Sequence, residues 1–93
     1  MVDDHPQPPT RDDVAQKLRD LAAGKKSPEE VSDWAQPWVY DDDLPEVEDE
    51  LVWDTLDKLT AADTQSQPGA YMFTTTDFHA WQEEFEAARR SQR

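Results

Sequence analysis

Apolar residues recur along this chain at helical spacing, and four stretches carry the pattern. Val14, Leu18, Leu21 and Ala22 stand at i, i+4, i+7 and i+8, which is one face of a helix. Thr10 can cap that helix, Asp12 and Asp13 suit the positive end of its dipole, and Gly24 marks its end beside Lys25 and Lys26. Ser27-Pro28-Glu29-Glu30 opens a second helix as a capping box with proline in the first helical position. Val31, Trp34, Ala35 and Trp38 follow at i, i+3, i+4 and i+7. Pro37 lacks a backbone donor and turns Gln36 away from helical angles, so the second helix is predicted to end or kink there and to carry Trp38 off the face of Trp34.

A third helix is predicted from about Pro45 to Thr60, with Glu46, Glu48, Asp49 and Glu50 in its first turns. Its stripe is Val52, Leu56 and Leu59, flanked by Leu51 and Trp53. A fourth starts near Thr75 or Thr76, carries Phe78, Trp81, Phe85 and Ala88, and ends on Arg89, Arg90 and Arg93, which suit the negative end of its dipole. Thr64 to Gly69 reads as a loop closed by Pro68-Gly69. Ala70–Phe73 is short and apolar, an extended segment over the core with no obvious strand to pair with. Met1–Pro9, with three prolines, reads as a disordered tail. The expectation is an all-α fold: a compact bundle of about four short helices, one domain over residues 10–93 behind a disordered N-terminal tail at 1–9.

Composition narrows the possibilities. Apolar residues make up only 35% of the 93, so the core is thin, although each large aromatic ring can bury ~150–250 Å². The net charge of −13 adds self-repulsion. There is no cysteine, which removes disulfides and thiolate metal sites and fits a reducing compartment. No apolar run is long enough to span a membrane, and the N-terminus has Asp3 and Asp4 where a secretory signal would have basic residues. A cytoplasmic location is expected. An acidic surface repels phosphate backbones, so the expected partner is a basic protein steered by charge, with no direct nucleic acid and no membrane, and with the chain monomeric when free.

The acids concentrate between Ser27 and Asp57, where twelve acidic residues occur with no Lys or Arg and with three of the four tryptophans. Asp41, Asp42, Asp43, Glu46 and Glu48 do not fit an EF-hand loop, because no register places glycine sixth. His79 and Glu83 lie four apart, but the second histidine of a metalloprotease helix is missing. Gly24 and Gly69 alone cannot build a phosphate loop. The expectation is a non-enzymatic protein with no catalytic residues, no metal and no cofactor. Trp34, Trp53 and Trp81 lie near apolar stripes and are expected in the core. Trp38, Tyr40, Asp41, Asp42, Asp43 and Glu46, at the exit of the proline-broken helix, are the expected partner-binding residues, since Trp and Tyr are enriched at interface hot spots.

Lys26-Ser27-Pro28-Glu29-Glu30-Val31-Ser32-Asp33-Trp34-Ala35, then Val52-Trp53-Asp54-Thr55-Leu56-Asp57, Ala62-Asp63, Tyr71 and Asp77-Phe78-His79-Ala80-Trp81 form a pattern over residues 10–86. It resembles small acidic bacterial immunity proteins of polymorphic toxin and contact-dependent inhibition systems. The resemblance implies a protein that binds and neutralises a cognate toxin domain, often a nuclease, and it brings no catalytic residues with it. The alternative is an acidic adaptor or nucleic-acid mimic that binds a housekeeping nucleic-acid-binding protein.

Overall fold

The computed structural model describes residues 7–91. Four helices and one small hairpin follow in the order α1 (Arg11–Ala22), α2 (Pro28–Tyr40), α3 (Glu50–Thr60), β1 (Gln65–Gln67), β2 (Ala70–Tyr71) and α4 (Thr75–Ser91). The all-α expectation holds. His5 and the rest of residues 1–6 lie outside the described residues, as does Arg93.

The helices start where their caps dictate. Thr10 and Asp13 close a reciprocal capping box on α1, and Ser27 and Glu30 do the same on α2. Gly24 adopts a φ of 73° in the turn between them, a left-handed angle that glycine takes without steric cost. The third helix begins later than its proline suggested. Asp49 caps it by accepting from the backbone N–H groups of Leu51 and Val52, so residues 46–49 are not helical. An aspartate that can bond two free N–H groups outcompetes a proline that only presets one angle.

The second helix does not end at Pro37. It continues to Tyr40, and the N–H of Asp41 still reaches the Pro37 carbonyl at 2.9 Å. Pro37 is exposed, as are Asp33 and Gln36. The Asp33 carbonyl that would have paired with residue 37 therefore lies on the solvent face, where water can satisfy it. The expected apolar stretch at residues 70–73 does find a strand: Gln65 pairs with Tyr71 and Gln67 with Ala70, antiparallel. The turn between them is Pro68-Gly69, with Gly69 at φ 82°, the residue order a type II turn requires. The Tyr71 hydroxyl donates to the Glu29 carboxylate, which ties the hairpin to the start of α2 and holds Glu29 below the usual carboxylate range.

The helices pair off. α1 packs chiefly on α4 and α2 on α3, with thinner contact between the two pairs. The core they share holds Val14, Leu18, Leu21, Val31, Ala35, Val52, Leu56, Leu59, Phe78 and Phe85. Trp81 stacks edge-on to Phe73 and Phe78, with ring centroids 4.9 and 5.2 Å away. Buried Ser32 donates to the Thr60 carbonyl at 2.9 Å and accepts from Gln36, so it secures the end of α3 to α2. Trp34 and Trp81 are half-buried against the core as expected, but Trp53 is 39% exposed. Val52, Thr55, Leu56 and Leu59 turn inward, and one residue past Val52 a helix has already rotated by ~100°.

Polar links gather at the N-terminus of α1, one crossing between the pairs to the start of α3 and one within the α1–α4 pair. Arg11 donates to both carboxylate oxygens of Asp49, at 2.7 and 3.2 Å, and Arg89 pairs with Asp12. The Arg11 hydrogen bond, helped by the cap N–H groups and Arg11's charge, holds the Asp49 carboxyl below its ordinary value against the opposing effect of burial. The native state thus binds fewer protons there than the unfolded chain. The stabilisation is complete above the unfolded value of ~4 and is lost as pH falls through the depressed native value.

Pro37→Ala restores a donor towards Asp33 and should raise stability by about 1 kcal/mol or more, read as a higher urea midpoint with unchanged slope. Asp49→Asn keeps a cap but loses the charge, so its stability should decline less steeply than the parent's from pH ~5 downwards. Asp49→Ala also loses the cap and should cost about 1 kcal/mol more at pH 7. Chemical unfolding across pH 2–7 measures both variants.

Candidate functional site

The residues expected to form one contact surface are divided among three. Trp38 turns inward, half-buried, and lines a cleft with Trp34, Lys17, Gln16, Asp13, Pro9 and Gln7. Tyr40, two residues later and so ~200° further round the helix, is 68% exposed. It lies with Asp33, Gln36, Pro37 and Asp41 on the far side. Glu46 belongs to a third surface with Val47, Glu48, Glu50, Asp54 and the exposed Trp53. Asp41, Asp42 and Asp43 are all exposed, and the Asp41 side chain accepts from the Asp43 backbone N–H in a local turn. Among the described residues, no three His, Asp or Glu side chains come together as a metal site.

A feature missed in the sequence is the segregation of the positive charge. Residues 11–26 hold five of the nine bases against three acids. The structure gathers these bases on α1 and the turn that follows it. Arg11 is engaged by Asp49, and the Lys17 ammonium lies 5.0 Å from the Trp34 ring centroid as a cation–π contact. Arg19 and Lys25 are exposed and Lys26 is half-exposed, and none of the three enters an ion pair among the described residues. The Arg19 guanidinium is steadied by Gln16 at 3.1 Å. Lys25 and Lys26 are fixed by their backbones, whose N–H groups both reach the Asp20 carbonyl. The signal was present as a run of bases in an otherwise acidic chain, but averaging the charge over 93 residues concealed it.

The opposite composition holds on the next elements. α2 carries Glu29, Glu30 and Asp33 and no base, and the segment from Asp41 to Asp49 adds six acids. α2 is thus unsuited to lie in a DNA groove as the second helix of a helix-turn-helix does. The α1 side of the turn carries the local excess of bases. Among the described residues, no helix is long and apolar enough to cross a membrane.

Comparison with known proteins revises the functional expectations. A family described as YxzC DNA-binding protein matches residues 8–85. The uncharacterized protein YxzC of Bacillus subtilis (strain 168) is 43% identical over 65 residues, which is 70% of this chain and 52% of that protein. The chain therefore spans about half the length of the curated relative it matches. No solved structure matches. The resemblance to toxin-neutralising immunity proteins is overturned: the matching family is a different one, and its description concerns DNA. The exclusion of direct nucleic-acid contact falls with it, as does the basic toxin domain as expected partner. The mimic reading meets this finding only in its link to nucleic acid. The error was to treat the charge of −13 as though it were spread evenly.

Proposed function

This chain belongs to the YxzC DNA-binding protein family, and from that premise we propose that it is a non-enzymatic cytoplasmic protein that contacts DNA through the end of α1 and the turn after it. Family membership over residues 8–85 carries the reading, and the segregation of cations supplies its location. Arg19, Lys25 and Lys26 are the contact residues, and phosphate oxygens are what they grip. Lysine and arginine on an exposed turn position a protein on the backbone without reading sequence. Asp20, Glu29 and Glu30 border the patch and keep the contact to about three phosphates. Binding of this kind is weak, non-specific and steeply dependent on ionic strength.

The test is fluorescence anisotropy of a labelled duplex between 20 and 200 mM salt. With about three phosphates neutralised, log K should fall against log[salt] with a slope of about −2 to −3. Lys25→Gln with Lys26→Gln should weaken binding and flatten the slope by almost 2, while Asp33→Asn on α2 should not weaken it. A parent protein that fails to bind at 20 mM salt would overturn the reading. Binding that is indifferent to the double substitution would move the interface elsewhere.

A further inference from the structure

The connection from α3 to α4 is longer than helix packing requires. Fourteen residues lie between Thr60 and Thr75, against the ~2–8 of ordinary helix–helix connections. Ala62 and Phe73 account for part of the length, because they pack on the core. The first strand of the hairpin accounts for none of it: Gln65, Ser66 and Gln67 are all exposed. The same stretch carries no charge. Residues 64–76 include neither acid nor base, in a chain that is 33% charged.

This exposed ribbon is nonetheless held in place. The Gly69 N–H donates to the Gln65 amide oxygen at 3.3 Å, the Ser66 hydroxyl to the Ala70 carbonyl at 3.4 Å and the Met72 N–H to the Thr64 carbonyl at 2.8 Å. The bond from the Tyr71 hydroxyl to Glu29 then sets the hairpin beside the first turn of α2, whose cap Ser27 directly follows Lys26. Glu29 and Asp63 lie near Tyr71 at the base of the hairpin, and its exposed tip has no acid. Gln67 spends neither polar atom of its side chain on a bond among the described residues. A glutamine amide can pair with N6 and N7 of adenine together, and a two-stranded ribbon fits the ~12 Å major groove. Phosphates border that groove, so cations beside a ribbon can hold the backbone while the ribbon enters.

On the premise of the DNA contact proposed above, we infer that the β1–β2 hairpin is a second point of that contact. It enters the major groove beside the phosphates gripped by Lys25 and Lys26 and presents Gln67 to an adenine edge. An amide displaces no counter-ions, so its loss lowers affinity and leaves the salt slope unchanged, whereas loss of the two lysines flattens the slope.

The experiment measures anisotropy of an A·T-rich duplex, and of the same duplex with 7-deazaadenine in place of adenine, between 20 and 200 mM salt. Gln67→Ala should weaken binding to the first duplex about tenfold at an unchanged slope. The 7-deazaadenine duplex should cost the parent a similar factor and cost the variant nothing further. Gln67 is exposed, and unchanged circular dichroism checks that its removal leaves the fold intact; the parent's response to 7-deazaadenine needs no variant at all. A parent that binds with the lysine-dependent slope but treats both duplexes alike overturns the hairpin contact and leaves the DNA reading standing. A parent that binds neither duplex at 20 mM salt overturns both.

Discussion

The first turn of α1 holds this protein together. Four consecutive residues each make a link that no neighbour duplicates. Thr10 caps the helix and Asp13 returns the bond to the Thr10 backbone. Arg11 reaches α3 through Asp49, and Asp12 reaches α4 through Arg89. Asp49 is at once the cap of α3 and the acceptor for Arg11, so the start of one helix fixes the start of another. The pairs α1–α4 and α2–α3 share a small core, and this turn adds directional bonds where apolar contact is thin. None of these links is large by itself, since exposed ion pairs are worth little. Their weight comes from convergence at one place in a chain whose acid excess pushes outward.

Helix pairing also decides where charge can accumulate. α2 and the loop after it hold acids that need no counter-ion because they face water, and Glu30 and Asp49 have roles in helix caps. Part of the acid excess is therefore a requirement of helix starts. Most of the described bases cross-link elements or sit on α1 and the turn after it, while Arg90 is exposed on α4 without an ion pair among the described residues. Lys58 joins α3 to α4 through Glu84 and lies 5.7 Å from the Trp81 ring centroid. Arg19, Lys25 and Lys26 are the cations turned to solvent at the end of α1 and the turn after it.

Much of this was legible in the sequence. The caps at Thr10 and Ser27, the stripes of α1 and α4 and the inward residues of α3 all follow from spacing, because an amphipathic face and a side-chain cap are local properties. The failures have non-local causes. Pro37 should break α2, but it falls on the solvent face, which depends on where α3 packs. Pro45 looked like a helix start until Asp49, held by Arg11 from 38 residues away, took that role. Ala70–Tyr71 had no visible partner because Gln65–Gln67 is polar and fully exposed, without the alternation that marks a strand. Trp38 and Tyr40 were read as one surface by proximity in sequence, although a helix sends residues two apart to opposite sides.

The same distinction between average and local bears on the proposed contact with DNA. Thirteen residues of α2 at 1.5 Å each set Asp41–Asp43 about 20 Å from Lys26. The screening length at physiological salt is ~8 Å, so repulsion from that loop is cut to about a tenth at the turn. Contact at Arg19, Lys25 and Lys26 is then governed by their immediate neighbours Asp20, Glu29 and Glu30, and the remaining acids act mainly at low salt, where screening weakens. Lower salt strengthens the local attraction and the distant repulsion together, which limits how far affinity can rise. On the proposed reading the acidic bulk thus works as a restraint that keeps the hold of a polyanion light.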